Sequence, residues 1–293
     1  MKKIRILLSI FTLFALFVSC DKVEGPFIES IPIDTTDTNS NIVKRKTLIL
    51  DFTGHRCIGC PRSHRAIDQI VASYGNKVIP VAIHTGFFAA TTSSFPYDFR
   101  TNVGLFFGGD GATTSGYFEI LETPAGAVNS LKKEDCTTNY ASWSSLTAQF
   151  VNTNALLKIE ITKNLSNSNQ DVDVAVKTTA LESLNKNLRL VVFVIEDSII
   201  SKQVDADADP QEIEHYEHKH VLRKALNGTW TTGSQIGDVL RSGTYNKDEA
   251  INRNFNFSLT GTDWNINYLH IVAFVFDNDT KEVLQVEEAG VWN

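Results

Sequence analysis

The sequence predicts an α/β unit followed by an all-β antiparallel sandwich, and three observations carry that expectation. Residues 46–84 run as strand, turn, helix, strand. From about residue 154 the texture changes to short runs that alternate apolar and polar residues. The turn of the first unit holds a closely spaced cysteine pair, Cys57-Ile58-Gly59-Cys60.

Lys46 to Phe52 (KTLILDF) is apolar and β-rich, the pattern of a buried strand. GHRCIGCP at 54–61 follows as a turn. Arg62 to Tyr74 then sets Ala66, Ile67, Ile70 and Val71 at helical spacing, and Gly75 is placed to end that helix. Lys77 to His84 (KVIPVAIH) is a second strand. A unit of this kind has parallel strands and a right-handed crossover. Residues 85–117, rich in Gly, Thr, Ser and Phe, read as a loop-and-helix insertion. Tyr117 to Asn129 carries a Thr123-Pro124 step ahead of a strand. Thr137 to Val151 suits a closing helix with Trp143, Leu146 and Phe150 on one face.

Beyond residue 154, ALLKIEITKNL, DVDVAVKTTA, NLRLVVFVIEDSII, NRNFNFSLT, NYLHIVAFVFD and KEVLQVEEA are separated by Asn, Asp, Ser and Gly. That is the signature of an antiparallel sandwich. A polar excursion over 201–250 interrupts it, and a boundary is expected at 153–155.

At the N-terminus, Met1-Lys2-Lys3-Ile4-Arg5 is basic, and Ile6 to Val18 is apolar up to Ser19-Cys20. This is the layout of a secretory signal, and it is too short to favour a permanent membrane span. Phe17-Val18-Ser19-Cys20 looks like a bacterial lipobox, which implies lipidation at Cys20. The expected partition is a signal peptide over 1–19, a polar tether over 20–43, an α/β domain over 44–153 and a β-sandwich domain over 154–293. Removing 1–19 takes the basic count from 27 to 24 against 34 acidic residues, a balance of about −10. Such a charge disfavours nucleic acid and anionic lipid surfaces, so contact with the membrane is expected through the lipid on Cys20.

The cysteine pair is the chemical centre. A cysteine at a helix N-terminus feels the positive end of the helix dipole and unpaired amides, which stabilise its thiolate. Cys57 is the outer, attacking sulfur and Cys60 the inner, resolving one. His55 and Arg56 add positive charge in sequence, and Pro61 suits the first helical turn. A disulfide that only staples the turn gains little from closing so short a loop. Zinc would require two further ligands, and none follows closely. Cys136 is expected to be buried and inert.

His215, His218 and His220 in EIEHYEHKHVLR raise a metal reading, but a polar loop explains them as well, and no metal ligand is assigned. His84 is read as structural. Asp205, Asp207 and Asp209 lack the glycine and distal glutamate of a calcium loop and read as a solvated acidic loop. No phosphate-binding glycine loop or nucleophile elbow is present, and no cofactor is expected.

Around the pair the chain resembles the thioredoxin superfamily. Asp51-Phe52 stands where that family has Asp-Phe at the end of the strand leading to its active site. The resemblance implies that Asp51 is the buried carboxyl relaying a proton to Cys60, and that Thr123-Pro124 holds the cis-proline beside the disulfide. Arg56 departs from the tryptophan common before the first cysteine, and the 64 residues from Cys60 to Pro124 make a long gap. The lipobox, DFTGxxCxxCP, TPxGxVN, HxHVLRxxLNGxW and AFVFDxxTxEVLQVEEA together are similar to the Omp28-related outer-membrane lipoproteins of Bacteroidetes. That likeness implies an outer-membrane location and the architecture of a thioredoxin-like domain plus a sandwich. Three functions are open: thiol–disulfide exchange with a protein substrate through Cys57 and Cys60, a surface or adhesin-like binding module with a structural disulfide, and metal handling.

Overall fold

The computed structural model describes residues 42–166 and 170–292; Cys20 and most of the expected tether lie outside them. Strand β1 (Thr47–Thr53) pairs in parallel with β2 (Val78–His84), from Thr47 opposite Val78 to Thr53 opposite His84, and helix α1 (Cys60–Tyr74) connects them. Gly75, at φ 58°, turns the chain out of α1 in the backbone region that glycine adopts without penalty. The insertion supplies a short helix, α2 (Asn102–Gly108), started by the Thr101 side chain accepting from the Gly104 amide at 3.0 Å. Strand β3 (Ala125–Val128) lies antiparallel to β1. Helix α3 (Trp143–Phe150) is shorter than the run expected over 137–151. Thr137 instead forms an antiparallel bridge to Gly126, which takes its backbone out of the helix.

The remaining chain is β: β4 (Leu157–Leu165), β5 (Asp171–Ala180), β6 (Leu184–Asn185), β7 (Leu188–Glu196), β8 (Ile199–Val204), β9 (Glu212–His218), β10 (Val221–Ala225), β11 (Asp238–Arg241), β12 (Thr244–Tyr245), β13 (Ala250–Ser258), β14 (Leu269–Asp277) and β15 (Val283–Gly290). One mixed sheet runs β15-β14-β7-β10-β2-β1-β3, with β11 also on β7. A second layer is β13-β5-β4, and β8 pairs with β9. The fold is thus mostly β, with mixed and antiparallel sheets and few helices.

Strand alternation sorts the core into layers, because successive side chains point to opposite faces. Leu48, Leu50 and Phe52 of β1 and Val191, Phe193 and Ile195 of β7 share one face with Phe106 and Phe107 of α2. On the other face Ile49 meets Ile67 and Ile70 of α1 and Trp143 of α3. Further along that same face, Leu190, Val192 and Val194 of β7 meet Leu157, Ile159, Val174 and Val176 of β4 and β5.

The boundary expected at 153–155 coincides with the turn between α3 and β4, but no gap in the sheet lies there. Strands β7, β10, β14 and β15, all from beyond it, join β1–β3 in one sheet, and the chain from Ile42 onward is one compact unit. What changes at that point is the layer covering one face, from helices to strands. Period-two patterning reveals which residues are strands and which face is apolar, but not which sheet a strand joins.

Candidate functional site

The cysteine pair sits where β1 gives way to α1. Gly54 starts the turn, and a Cβ there would stand 2.6 Å from the Phe88 carbonyl carbon. That close approach lets the Arg56 amide donate to the Phe88 carbonyl at 3.1 Å. The Cys57 amide donates to Gly54 O at 3.0 Å, and Cys60 N to Cys57 O at 3.3 Å, folding the turn onto the helix start. Pro61 occupies the first turn of α1, where an absent N–H costs nothing. Cys57 and Cys60 are joined as a disulfide with their Cα atoms 5.4 Å apart. Cys60 is fully buried and Cys57 is 2% exposed, whereas Ile58 between them is 47% exposed.

Thr123 and Pro124 lie across the disulfide. Their peptide bond is cis, Thr123 O is 3.4 Å from Cys57 Sγ, and Pro124 packs beside Gly59. Asp51 is buried in β1 beneath the first turn of α1. The Ser63 hydroxyl sits between the two, 2.8 Å from Cys60 O and 3.3 Å from Asp51 Oδ1. Burial, only partly offset by Ser63, pushes the Asp51 carboxyl up to about 7. The structure therefore brings Asp51, Cys57, Cys60 and Pro124 together in one place.

The polar excursion after residue 200 folds back onto this turn. The β8–β9 hairpin donates Val204 N to His55 O at 3.0 Å and Ala206 N to Ile58 O at 2.9 Å. Gln203, fully buried on β8, directs its side-chain amide at Cys57 O (3.2 Å) and Gly54 O (3.4 Å). The hairpin tip is tied to α1 by Arg65 to Asp205 at 2.7 Å and Arg62 to Asp207 at 2.6 Å. The acidic run is solvated only in part: Asp205 is 4% exposed, whereas Asp207, which serves two arginines, and Asp209 are exposed. The arginines at 62 and 65 and the alternating aspartates were the available signal, but their 140-residue separation conceals the pairing.

One expectation about local charge is corrected. His55 adds no positive charge to Cys57: it is 1% exposed, and burial pushes its pKa down despite a contact with Ala90 O at 3.2 Å. The Arg56 guanidinium donates to the Phe87 carbonyl and stands 4.9 Å over the Phe87 ring. The three histidines of the EHYEHKH segment do not converge. His215 is exposed, His218 is buried with its ring centroid 5.7 Å from that of His84, and His220 faces Asp197 at 3.2 Å. Among the described residues no group of three His, Cys, Asp or Glu side chains is arranged to hold a metal ion.

His84 stacks on Phe99 at 4.4 Å, and burial drives its pKa well below the usual imidazole range. Cys136 packs against the core as a free thiol, pushed up to about 12 by burial and so unreactive.

No curated protein matches this sequence. Among solved structures, HBP35 of Porphyromonas gingivalis superposes with a TM-score of 0.58 at 16% identity, over 85% of this chain and 76% of that one. This likeness concerns the fold alone. A domain of the outer membrane lipoprotein Omp28 from Porphyromonas gingivalis is 22% identical over 47% of this chain and 89% of that one, with a TM-score of 0.31. The sequence model of the family described as outer membrane protein Omp28 matches residues 112–292, well over half the chain. The chain therefore belongs to the Omp28 family of outer membrane proteins, which places it in the cell envelope.

Proposed function

We propose that this envelope lipoprotein exchanges thiols and disulfides with protein substrates through Cys57 and Cys60. On this reading residues 44–153 are a thioredoxin-like substructure, residues 154–293 a sandwich fused to its sheet, and Cys20 the lipid anchor. The observation that carries it is the Cys57–Cys60 disulfide at the N-terminus of α1, with Asp51 buried beneath and Thr123-Pro124 across it. Residues 125–128 with the bridge at Thr137 supply a rudimentary antiparallel pair beside β1, in keeping with that substructure.

In the oxidised form, a substrate thiolate attacks Cys57 Sγ and the Cys57–Cys60 bond breaks. Cys60 leaves as a thiolate and takes the proton held by Asp51. A second substrate thiolate then attacks the mixed disulfide and releases Cys57 as a thiolate, stabilised by the helix N-terminus. The substrate dithiol becomes a disulfide and the protein gains the two electrons. The exposed rim of Ile58 (47%), Phe87 (59%) and Leu121 (93%) suits a polypeptide substrate better than a small thiol.

One observation favours a second reading, a surface binding module with a structural disulfide: Cys57 is 2% exposed beneath the hairpin. The two readings separate in an assay with a reduced, unfolded protein as dithiol substrate. The exchange reading expects stoichiometric formation of substrate disulfide, abolished by Cys57→Ser. No substrate oxidation by the wild-type protein over hours would favour the binding module.

A further inference from the structure

Beneath β9 lies a cavity of about 60 Å³ that the exchange chemistry above leaves unused. It is faced by Asp51 of β1, His64 and Asp68 of α1, His84 of β2, and residues 216–220 of β9 and the turn after it. Several polar atoms buried there have no hydrogen-bond partner within the protein: Asp51 Oδ2, both ring nitrogens of His84, and Nε2 of His218. Buried polar groups of native proteins are satisfied, and a cavity of this size with this lining accommodates two or more ordered waters.

His64 stands beside the carboxyl on the wall of that space. Its Nε2 stands 3.0 Å from Thr53 Oγ1 and 3.4 Å from Asp51 Oδ2, and its Nδ1 stands 2.7 Å from the Tyr216 hydroxyl. An imidazole placed so can take a proton on one nitrogen while releasing one from the other, without holding a charge for long. Burial holds His64 down at about 4, so it is the neutral ring that occupies this position at neutral pH.

We propose that His64 is a positioning residue of the redox site, relaying the proton between Asp51 and a hydrated cavity closed by Tyr216. This rests on Asp51 serving Cys60, as proposed above, but not on the identity of any protein substrate. When the disulfide opens, the proton given by Asp51 to the Cys60 thiolate is replaced through His64 from the cavity. On reoxidation the same proton returns by the same route. No bond to His64 forms or breaks except N–H, so electrons move only between sulfurs. Tyr216 rides on the β8–β9 hairpin, so the relay is complete only while the hairpin is docked.

The test uses the full chain and dithiothreitol, which reduces the disulfide whether or not a protein substrate exists. Reduction rate is measured from pH 5 to 9 in the wild type, His64→Ala, Tyr216→Phe and Asp51→Asn. The expected result is a roughly tenfold slowing in His64→Ala that added imidazole restores, and a smaller slowing in Tyr216→Phe. In the Asp51→Asn background, His64→Ala should add nothing. A His64→Ala rate and pH profile matching wild type would overturn the relay. So would a slowing that imidazole leaves untouched and that persists in full beside Asp51→Asn. Tyr216→Phe keeps the ring and its packing, so it decides the matter should His64→Ala fold poorly. A protein that oxidises no protein dithiol but shows the imidazole-rescued rate would refute the exchange reading and leave the relay standing.

Discussion

The central sheet and the β8–β9 hairpin are neighbours held in place by different physics. Every residue of β14 except His270 is buried, and only Arg189 of β7 is not, so that part of the sheet is fixed by apolar burial from both faces. In β9 only His218 is buried, and the hairpin is attached to the cysteine turn by two backbone hydrogen bonds, the Gln203 amide and the Arg62, Arg65, Asp205 and Asp207 ion pairs. The scaffold should therefore resist changes of salt and surface charge, whereas the cover over the disulfide should respond to them. A site can thus be shut by its cover without being part of the core.

The largest test of that contrast is truncation within the sheet. Phe193→Ala removes a fully buried ring packed at 5.6 Å on Phe274 and at 5.9 Å on Trp230. It should cost about 3–5 kcal/mol in urea unfolding. Gly126→Ala comes next, because its Cβ would fall 2.4 Å from the Trp143 ring and 2.6 Å from Leu50 O. Overpacking there should cost about 1–3 kcal/mol by the same measurement.

Smaller effects belong to the site. The Asp51 carboxyl is raised to about 7 from 3.8, so in the folded state it holds a proton that the unfolded chain has lost between those values. Its contribution is fully present below 3.8 and declines as pH rises toward 7. Asp51→Asn should accordingly stabilise the protein relative to wild type by an amount that widens from pH 4 to 7 and then levels off. His64, held down at about 4, and His218, at about 3, act oppositely. Their contribution is present above the ordinary imidazole value of about 6.5 and is lost as pH falls toward the folded values. Acid lability below pH 6 is thus expected from the histidines and is opposed by Asp51.

Smaller again, Arg65→Ala breaks a half-exposed tie to Asp205 and Asp207. Unfolding free energy should fall by only about 1 kcal/mol, yet the dithiothreitol reduction rate should rise several-fold, and added salt should raise the wild-type rate in the same direction. Unchanged reduction kinetics in Arg65→Ala would erase the distinction between cover and scaffold. Gly59→Ala should be nearly silent in unfolding, since its Cβ would meet Pro124 at an ordinary 3.6 Å.

How far the sequence alone carries follows from the range of each interaction. The β1–α1–β2 unit was legible because its signals are local: β-rich runs, helical spacing and a terminating glycine within 40 residues. Cys57 and Cys60 were legible from their spacing at a helix start, Asp51 and Pro124 only through resemblance, and the four share one place. The hairpin's docking was not, because Asp205 and Arg65 look like solvated charges until the chain brings them together. The same holds for the sheet: LRLVVFVIE and LHIVAFVFD read as strands of an antiparallel sandwich, but nothing local says that their sheet continues through Val221 into Ala82 of β2. The charge expected from His55 failed for a third reason, since proximity in sequence says nothing about burial, and burial decides protonation.

The reduction potential of Cys57–Cys60, measured by equilibration of the full chain with glutathione, tests the exchange reading most directly. A value within the range of known exchange proteins, roughly −270 to −120 mV, is predicted. A value below about −300 mV, the range of structural disulfides, would contradict it.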